Sequence, residues 1–266
     1  MPNKPTQDLL ELQEEIQVLQ EELRRRMVQV RTGKFSFRDY VRAHPYVLLF
    51  LYLPVYLIWF MAQEYWISSV NGCFVSYLPI DDKIPFLAGF IYPYITWYPL
   101  LLLPAIVFLL KADGPAFTRY ALFIIFGFSI SLLICAVFPN CQLLRPDLSG
   151  AEIDNFSRFI VAGIYGADTP TNVLPSMHVV GCMGVIFASF DGEDLRPGRW
   201  ILVFWGVLVS VSTVFVKQHS VLDLVAGIAL GVLLWIVIYG TLHNWTDRFG
   251  RDRRLDLKPE DRTAKD

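Results

Sequence analysis

Six long apolar runs constrain the fold of this 266-residue chain more than any other feature. They occupy residues 45–62, 85–110, 120–138, 173–190, 200–216 and 220–242. Each run approaches the roughly 20 residues that a helix needs to cross a hydrocarbon core about 30 Å thick. A hydrophobic content of 54% and a mean hydropathy of +0.43 point in the same direction. The pattern predicts an all-α, polytopic membrane protein with six transmembrane helices.

The first and fifth runs are short enough to be buried helices of a soluble protein, and the placement of basic residues argues against that alternative. The basic residues precede the first run or lie in alternate later loops: Arg24, Arg25, Arg26, Arg31, Lys34, Arg38, Arg42, Lys111, Arg119, Arg196, Arg199, Arg248, Arg251, Arg253 and Arg254. If six spans are threaded, all of them fall on one side, as the positive-inside rule requires. Both termini are then cytoplasmic. The loops 63–84 and 139–172 and the turn at 217–220 face the extracellular, periplasmic or lumenal side.

The N-terminal segment carries a heptad pattern over residues 8–31, with apolar residues at most a and d positions. A coiled-coil homodimer through this segment, an amphipathic helix on the inner leaflet and a solvated helix are the three interpretations. The sequence therefore predicts a cytoplasmic N-terminal segment over residues 1–43, a six-span core over residues 44–243, and a charged cytoplasmic tail over residues 244–266.

Four cysteines divide evenly between loops and spans. Cys73 and Cys141 lie in the two long outer loops, whereas Cys135 and Cys182 lie within apolar runs. The first pair could form a disulfide or remain as two unpaired thiols, because sequence alone does not establish a bridge.

Three polar stretches share the predicted outer side: "CQLLRPDLSG", "DTPTNVLPSMHVVG" and "VKQHSVLDLVAG". The side chains that we single out in them are Gln142, Arg145, Asn172, Ser176, His178, Lys217, His219 and Asp223. Ionisable groups at membrane depth are costly, so a histidine or aspartate there is a functional hypothesis by default.

His219 and Asp223 are four residues apart, which predicts that they stack on one face of the last helix. A hydrogen bond from one ring nitrogen to the carboxylate would set the tautomer and raise the basicity of the other nitrogen, as a histidine nucleophile requires. The simpler alternative is a polar pair at a helix start that is satisfied by water.

Pro175 and Ser176 are typical of the first turn of a helix, whose free N–H groups attract a phosphate. His178 follows closely enough to protonate a leaving oxygen. Arg145 and Lys217 can supply the positive charge that phosphoryl transfer needs. Taken singly, Arg145 could instead anchor a lipid headgroup, and Lys217 could snorkel at a helix flank.

The segments "RP", "PSMH" and "HSVLD", in this order on the outer side of six spans, resemble the type-2 phosphatidic acid phosphatase (PAP2) superfamily. The resemblance covers residues 139–227 and the spans. It implies that His219 is a nucleophile forming a phosphohistidine, Asp223 its partner and His178 the general acid. By the same resemblance, Arg145 and Ser176 are phosphate ligands.

The chain departs from the family pattern at two positions. Phe138 stands where the first motif has a lysine, and Ser212-Thr213 stands where a Ser-Arg pair is expected. Lys217 could replace one missing cation, with neutral hydrogen bonds from the two amides Asn172 and Gln142. This variant looks more like the branch of inositol-phosphorylceramide synthase-like enzymes, which are inositolphosphotransferases, so transfer to an alcohol is as open as hydrolysis.

The resulting hypothesis is a membrane enzyme that cleaves or transfers phosphate from a lipid phosphate or phospholipid, with no metal, no other cofactor and no nucleic-acid partner. A metal-binding membrane protein or transporter is the competing hypothesis, because two histidines and one carboxylate also form common metal sites. The cations and the Pro-Ser turn would then have no role. The third hypothesis is a scaffold protein without catalytic activity.

Overall fold

A computed structural model describes residues 17, 37–67, 72–148 and 155–251 of the chain. It is mostly helical, with 77% helix and 2% strand. Apart from Gln17, the coiled-coil prediction for residues 8–31 lies outside the described residues, so it stays a prediction. The chain divides into two compact units, one comprising residues 1–44 and 253–266 and the other residues 45–252.

In the smaller unit the described helix is α1 (Phe37–Ala43). In the larger unit a 3-10 helix (Pro45–Leu51) continues into α2 (Tyr52–Ile67). The remaining α-helices are α3 (Ile91–Ile95), α4 (Trp97–Leu110), α5 (Gly114–Val137), α6 (Phe156–Ala167), α7 (Met177–Asp191), α8 (Arg199–Phe215), α9 (Val221–Trp235) and α10 (His243–Gly250). Further 3-10 helices span Asp81–Lys83, Ala88–Phe90 and Glu193–Gly198, and a π-helix spans Ile236–Thr241. Two short strands, β1 (Phe74–Val75) and β2 (Asn140–Cys141), pair in parallel.

Among the described residues, five continuous helical segments are long and apolar enough to cross a membrane. They are Pro45–Trp66, Ala88–Leu110, Gly114–Val137, Glu193–Phe215 and Val221–Thr241. They indicate a multi-pass membrane protein. The predicted run at 173–190 differs, because its helix α7 begins at Met177 and has 15 residues, equivalent to about 22 Å. Six spans are therefore not confirmed, although five of the six predicted runs correspond to long helices.

Helix α7 lies at the centre of the bundle, where it packs against α4, α5, α8 and α9. Its residues Val180, Cys182 and Val185 are fully buried among them. A helix enclosed by protein on most sides can be apolar without facing lipid, since its neighbours bury its side chains. This enclosure explains why the run is apolar although the helix is short.

The outer surface of the bundle is apolar. Large hydrophobic side chains with more than half of their surface exposed include Ile58, Met61, Trp66, Trp200 and Phe204. A soluble monomer rarely exposes so much contiguous apolar surface. A lipid environment around α2 and α8 accounts for it.

The two ends of the bundle differ in their polar chemistry. At the C-terminal end of α7, the buried Arg119 donates from Nε to Asp191 at 2.7 Å and pairs through Nη1 with Asp247. This ion cluster ties α5, α7 and α10 together. The histidine of α7, His178, lies at the opposite end of the helix, thirteen residues from Asp191 in sequence.

A disulfide between Cys73 and Cys141 joins the loop after α2 to the loop after α5. The β1–β2 pair lies at the same junction, with Phe74 opposite Asn140 and Val75 opposite Cys141. Of the two alternatives for these cysteines, the structure therefore has the bridge. Its consequence for the site is that both loops are held beside the start of α9.

Candidate active site

His219 and Asp223 are neighbours at the start of α9. The His219 Nδ1 atom lies 3.4 Å from Asp223 Oδ2. The prediction that both stack on one helical face is wrong, because Ser220 is the N-cap and His219 precedes it outside the helix. A capping box brings them together instead. Ser220 Oγ accepts from the Asp223 N–H, and the Asp223 carboxylate accepts from the Ser220 N–H.

The Asp223 carboxylate is fully buried and accepts two hydrogen bonds besides its contact with His219. Oδ2 accepts from the Ser220 N–H at 2.8 Å and faces His219 Nδ1, while Oδ1 accepts from Ser76 Oγ at 2.5 Å. These donors lock the orientation of the carboxylate. With the ring hydrogen of His219 on Nδ1, its Nε2 carries a lone pair on the opposite edge of the ring.

His178 lies on that opposite edge. Its Nδ1 atom is 3.3 Å from His219 Nε2, and its ring packs against the rings of Tyr94 and Trp97 at centroid distances of 4.8 and 4.3 Å. Trp97 also donates from Nε1 to the His178 carbonyl at 3.1 Å. The aromatic contacts hold the His178 ring in place beside Nε2 of His219. The close approach of α9 to α7 requires Gly227, since a Cβ there would lie 2.9 Å from the Ser176 carbonyl oxygen.

A small cavity of about 40 Å³ opens beside the two histidines. Its lining residues are Phe60, Glu64, Asp168, Thr169, Thr171, Asn172, Val173, Met177, His178, Gln218 and His219. Three of the predicted site residues, namely His178, His219 and Asn172, are among them. The other five are not among the lining residues.

Arg145 supports the cavity wall from behind. Its Nη1 donates to the Asp168 carbonyl at 2.7 Å, and its Nη2 donates to the Thr169 carbonyl at 3.1 Å and to Gln218 Oε1. The guanidinium also stacks over the Tyr165 ring, 4.6 Å from its centroid. Burial lowers the pKa of Arg145. Arg145 was predicted to be a direct phosphate ligand, but protein groups accept the hydrogen bonds of its guanidinium. Its positive charge nevertheless lies near the cavity.

Lys217 turns away from the cavity. Its ammonium donates to the carbonyls of Asp81 and Ile84 at 2.9 and 2.7 Å. Burial lowers its pKa, with Asp81 and Asp82 acting in the opposite direction. Its φ of +54° is in the left-handed region, which side chains with a Cβ rarely adopt. The structure thus places Lys217 as a loop anchor and not beside His219 Nε2.

Gln142 belongs to the same scaffold of loops. Its Nε2 donates to the Lys217 carbonyl at 3.0 Å, and its Oε1 accepts from the Leu144 N–H at 2.6 Å. Both polar atoms of the amide are used in this way. The structure does not bring Gln142 into the cavity lining as a neutral phosphate ligand.

Ser176 and Asn172 flank the start of α7. Pro175 and Ser176 precede the helix and do not form its first turn, because α7 begins at Met177 with Ser176 as its N-cap. The buried Ser176 hydroxyl accepts from the Val179 N–H at 3.4 Å. Asn172 does line the cavity, and its Nδ2 donates to Glu64 Oε1 at 2.6 Å. Its Oδ1 accepts from Gln63 at 3.1 Å.

Four residues near the histidines were not singled out in the sequence: Glu64, Ser76, Asp168 and Gln218. Gln218 lies between Lys217 and His219, which were singled out, so its position in "VKQHS" could have indicated that it belongs to the site. Ser76 is 147 residues from its partner Asp223, and no periodicity links them. Burial raises the pKa of Asp168 to about 6, with Glu64 acting in the same direction and Arg145 and His219 in the opposite one.

The geometry does not suit the metal-site alternative. Asp223 contacts the Nδ1 edge of His219, whereas His178 contacts the Nε2 edge, so the three side chains do not converge on one point. Within the part of the chain that the structure describes, no group of three or more histidine, cysteine, aspartate or glutamate side chains is placed to hold a metal ion.

Comparison with models of protein families finds no match, and comparisons with curated proteins and with solved structures find none either.

Proposed function

We propose that this protein is a membrane enzyme of the type-2 phosphatidic acid phosphatase kind, which transfers phosphate from a lipid phosphate or phospholipid to water or an alcohol. One observation carries the proposal: Asp223, His219 and His178 form a row, and both histidines line the cavity. A carboxylate, a histidine of defined tautomer and a second histidine are the groups that a phosphohistidine mechanism needs.

In the first step, the His219 Nε2 lone pair attacks phosphorus, and the bond from phosphorus to the lipid oxygen breaks. His178 gives a proton to that departing oxygen. In the second step, His178 takes a proton from water or an alcohol, whose oxygen attacks phosphorus and displaces His219. Asp223 positions the ring and stabilises the positive charge that His219 acquires when it is phosphorylated.

The negative charge of the transferred group needs donors in the cavity wall. The amide of Gln218 is one, because this side chain is buried and lines the cavity. Arg145 donates to the carbonyls of residues 168 and 169 and to Gln218, so its guanidinium lies behind the cavity wall. Its positive charge there stabilises the negative charge of the transferred group. Fewer cations face the cavity than the family pattern provides.

We propose that α7 completes a bundle of six spans and that both termini are cytoplasmic. The basic residues of the loops support this orientation through the positive-inside rule. The Cys73–Cys141 disulfide supports it independently, because such bonds persist in oxidising compartments. The histidines lie beside these loops, so the site would face the extracellular, periplasmic or lumenal side.

The decisive experiment is a trap for the phosphoenzyme. Purified protein in detergent is mixed with a lipid phosphate labelled at phosphorus, quenched without acid, digested, and the label is mapped. We expect the label on His219 and its absence from His219→Ala protein, with product release that survives EDTA. Label on His178, or unchanged labelling of the His219→Ala variant, would overturn the assignment. Loss of turnover in EDTA with rescue by zinc or iron would revive the metal-site alternative.

A further inference from the structure

The cavity beside the histidines has an acidic wall. Glu64, from the end of α2, and Asp168, from the segment after α6, both line it. Among the described residues that line the cavity there is no lysine or arginine. This is an unusual environment for a group that carries two negative charges, because like charges in a confined site repel strongly.

The Glu64 carboxylate is held in place by three donors. Oε1 accepts from Asn172 Nδ2 at 2.6 Å, and Oε2 accepts from the Thr169 N–H at 3.2 Å and from the Thr169 hydroxyl. These donors use both carboxylate oxygens and fix the orientation of the group. The Glu64 carboxylate is thus a fixed component of the cavity wall.

Asp168 adds a second carboxylate to the cavity wall, and the positive charge nearest to it is that of Arg145. Its Oδ2 lies 3.9 Å from Arg145 Nη2, so the pair is only loosely formed. Burial and Glu64 raise the pKa of Asp168 to about 6, against the effect of Arg145 and His219. Above that pH the ionised Asp168 lies in the same wall as Glu64, and the guanidinium of Arg145 lies behind it.

Gln218 provides the cavity wall with an amide donor. The side chain is 2% exposed, and its Oε1 is occupied by Arg145. Gln218 lines the cavity, and the nearest partner of its buried amide nitrogen is the phenol of Tyr94, which is outside good hydrogen-bond geometry. An acceptor oxygen of a ligand in the cavity can receive a hydrogen bond from this amide nitrogen.

We propose that Glu64 and Asp168 select a phosphodiester over a phosphomonoester at the His219 site. This inference rests on the proposed function and deepens it. A phosphodiester carries one negative charge, whereas a phosphomonoester carries between one and two at neutral pH because its second pKa is about 6. One acceptor oxygen can meet Gln218 in either case, but the second charge of the monoester is repelled by the acidic wall.

The preference has a consequence for the reaction. When His219 Nε2 bonds to phosphorus, the bond to the diacylglycerol oxygen breaks, and that oxygen takes a proton from His178. The second alcohol of the diester stays bonded to phosphorus, and the carboxylates of Glu64 and Asp168 can accept hydrogen bonds from its hydroxyls. Water or an alcohol then bonds to phosphorus, gives its proton to His178 and releases His219.

Two short-chain lipids that release the same product test the selection. Dioctanoyl phosphatidylglycerol is a diester and dioctanoyl phosphatidate a monoester, and diacylglycerol release is measured from each in identical micelles at pH 7.5. We expect kcat/KM to favour phosphatidylglycerol. Glu64→Gln and Asp168→Asn should each shift the ratio of the two kcat/KM values toward phosphatidate by about tenfold, since each removes one nearby charge.

Asp82→Asn is the matched control, because this exposed acid lies in the outer loop and does not line the cavity. Glu64→Asp, which keeps the charge, should preserve the preference for the diester and covers the case in which Glu64→Gln fails to fold. An unchanged ratio in both neutralised variants, or a wild-type preference for phosphatidate, would overturn the selection. If label still maps to His219, that result leaves the proposed function intact, whereas absence of label with both lipids refutes the function itself.

Discussion

His219 Nε2 and His178 Nδ1 lie 3.3 Å apart, although 41 residues separate the two histidines in the chain. The contact joins the start of α7 to the turn before α9. With His219 donating from Nδ1 to Asp223, the hydrogen between the two rings belongs to His178. In the proposed mechanism the substrate displaces this contact, so that the His219 Nε2 lone pair meets phosphorus and the His178 hydrogen meets the departing oxygen.

The two histidines should differ in their dependence on the leaving group. His219→Ala is expected to abolish turnover of every substrate. His178→Ala should lower the turnover of a lipid phosphate by about 10²–10⁴-fold, which is the usual contribution of general acid catalysis. The loss should be much smaller with p-nitrophenyl phosphate, whose leaving group needs no proton. His243→Ala, at a partly exposed position in α10, is the control for both. Equal losses with both substrates would remove His178 from the role of acid.

Replacement of Asp223 by Asn should preserve the shape of the site and permit the wrong tautomer of His219. We expect a loss of kcat of about 10²-fold or more with little change in KM. Ser76→Ala removes one hydrogen bond to the same carboxylate, and its main effect should be a loss of stability of about 1.5–3 kcal/mol. Steady-state kinetics and thermal unfolding of both variants check this. A smaller kinetic defect in Asp223→Asn than in Ser76→Ala would contradict the positioning role.

The Cys73–Cys141 disulfide should stabilise the folded protein. The cysteines are 68 residues apart in the chain, and closing a loop of that length is typically worth about 2–4 kcal/mol. We expect the double variant Cys73→Ser/Cys141→Ser to unfold at a lower temperature than the wild type. Addition of a reductant should lower the wild type to the same temperature and leave the double variant unchanged. A wild type indifferent to reductant would show that the bond is not formed.

Asp168 should make stability depend on pH between about 4 and 6. Its pKa is raised from 3.8 to about 6 in the folded protein, so its ionisation disfavours folding. The loss of folding stability caused by ionisation of Asp168 is absent below pH 3.8 and complete above pH 6. Asp168→Asn should therefore stabilise the protein at pH 7.5 and have no such effect at pH 3.5.

We expect a gain of about 1–2 kcal/mol at pH 7.5. Two pKa units correspond to about 3 kcal/mol, but the side chain is 35% exposed and solvent screens it. Thermal unfolding of both proteins across this pH range is the measurement. A difference between wild type and variant that does not vary with pH would contradict the assignment to Asp168.

The proposed orientation predicts which loops are accessible from outside. A cysteine at Leu148 should react with a membrane-impermeant maleimide in intact cells or right-side-out vesicles. A cysteine at Lys111, in a basic loop, should react only after permeabilisation. The two free native cysteines, Cys135 and Cys182, are buried and give little background. Labelling of the cysteine at 148 only after permeabilisation would mean an inverted topology or residence in an internal organelle, and tags on both termini would separate the two.

The sequence by itself determined the helical membrane architecture and the residue types of the site. A run of apolar residues is a local property, so the long helices at Gly114–Val137 and Val221–Thr241 follow from composition and length. The four-residue spacing of His219 and Asp223 is also local. The two side chains are in contact as expected, but the capping box of Ser220 and Asp223 places them together, because His219 lies outside the helix.

The tertiary structure decided which polar groups face the cavity. Arg145 and Lys217 were expected there, but backbone carbonyls of distant loops bind their charged ends. Glu64 and Gln218 take their places in the lining. A buried charged side chain turns toward whichever acceptors the fold brings within hydrogen-bonding distance, and residues far apart in sequence supply those acceptors. No spacing along the chain contains that information.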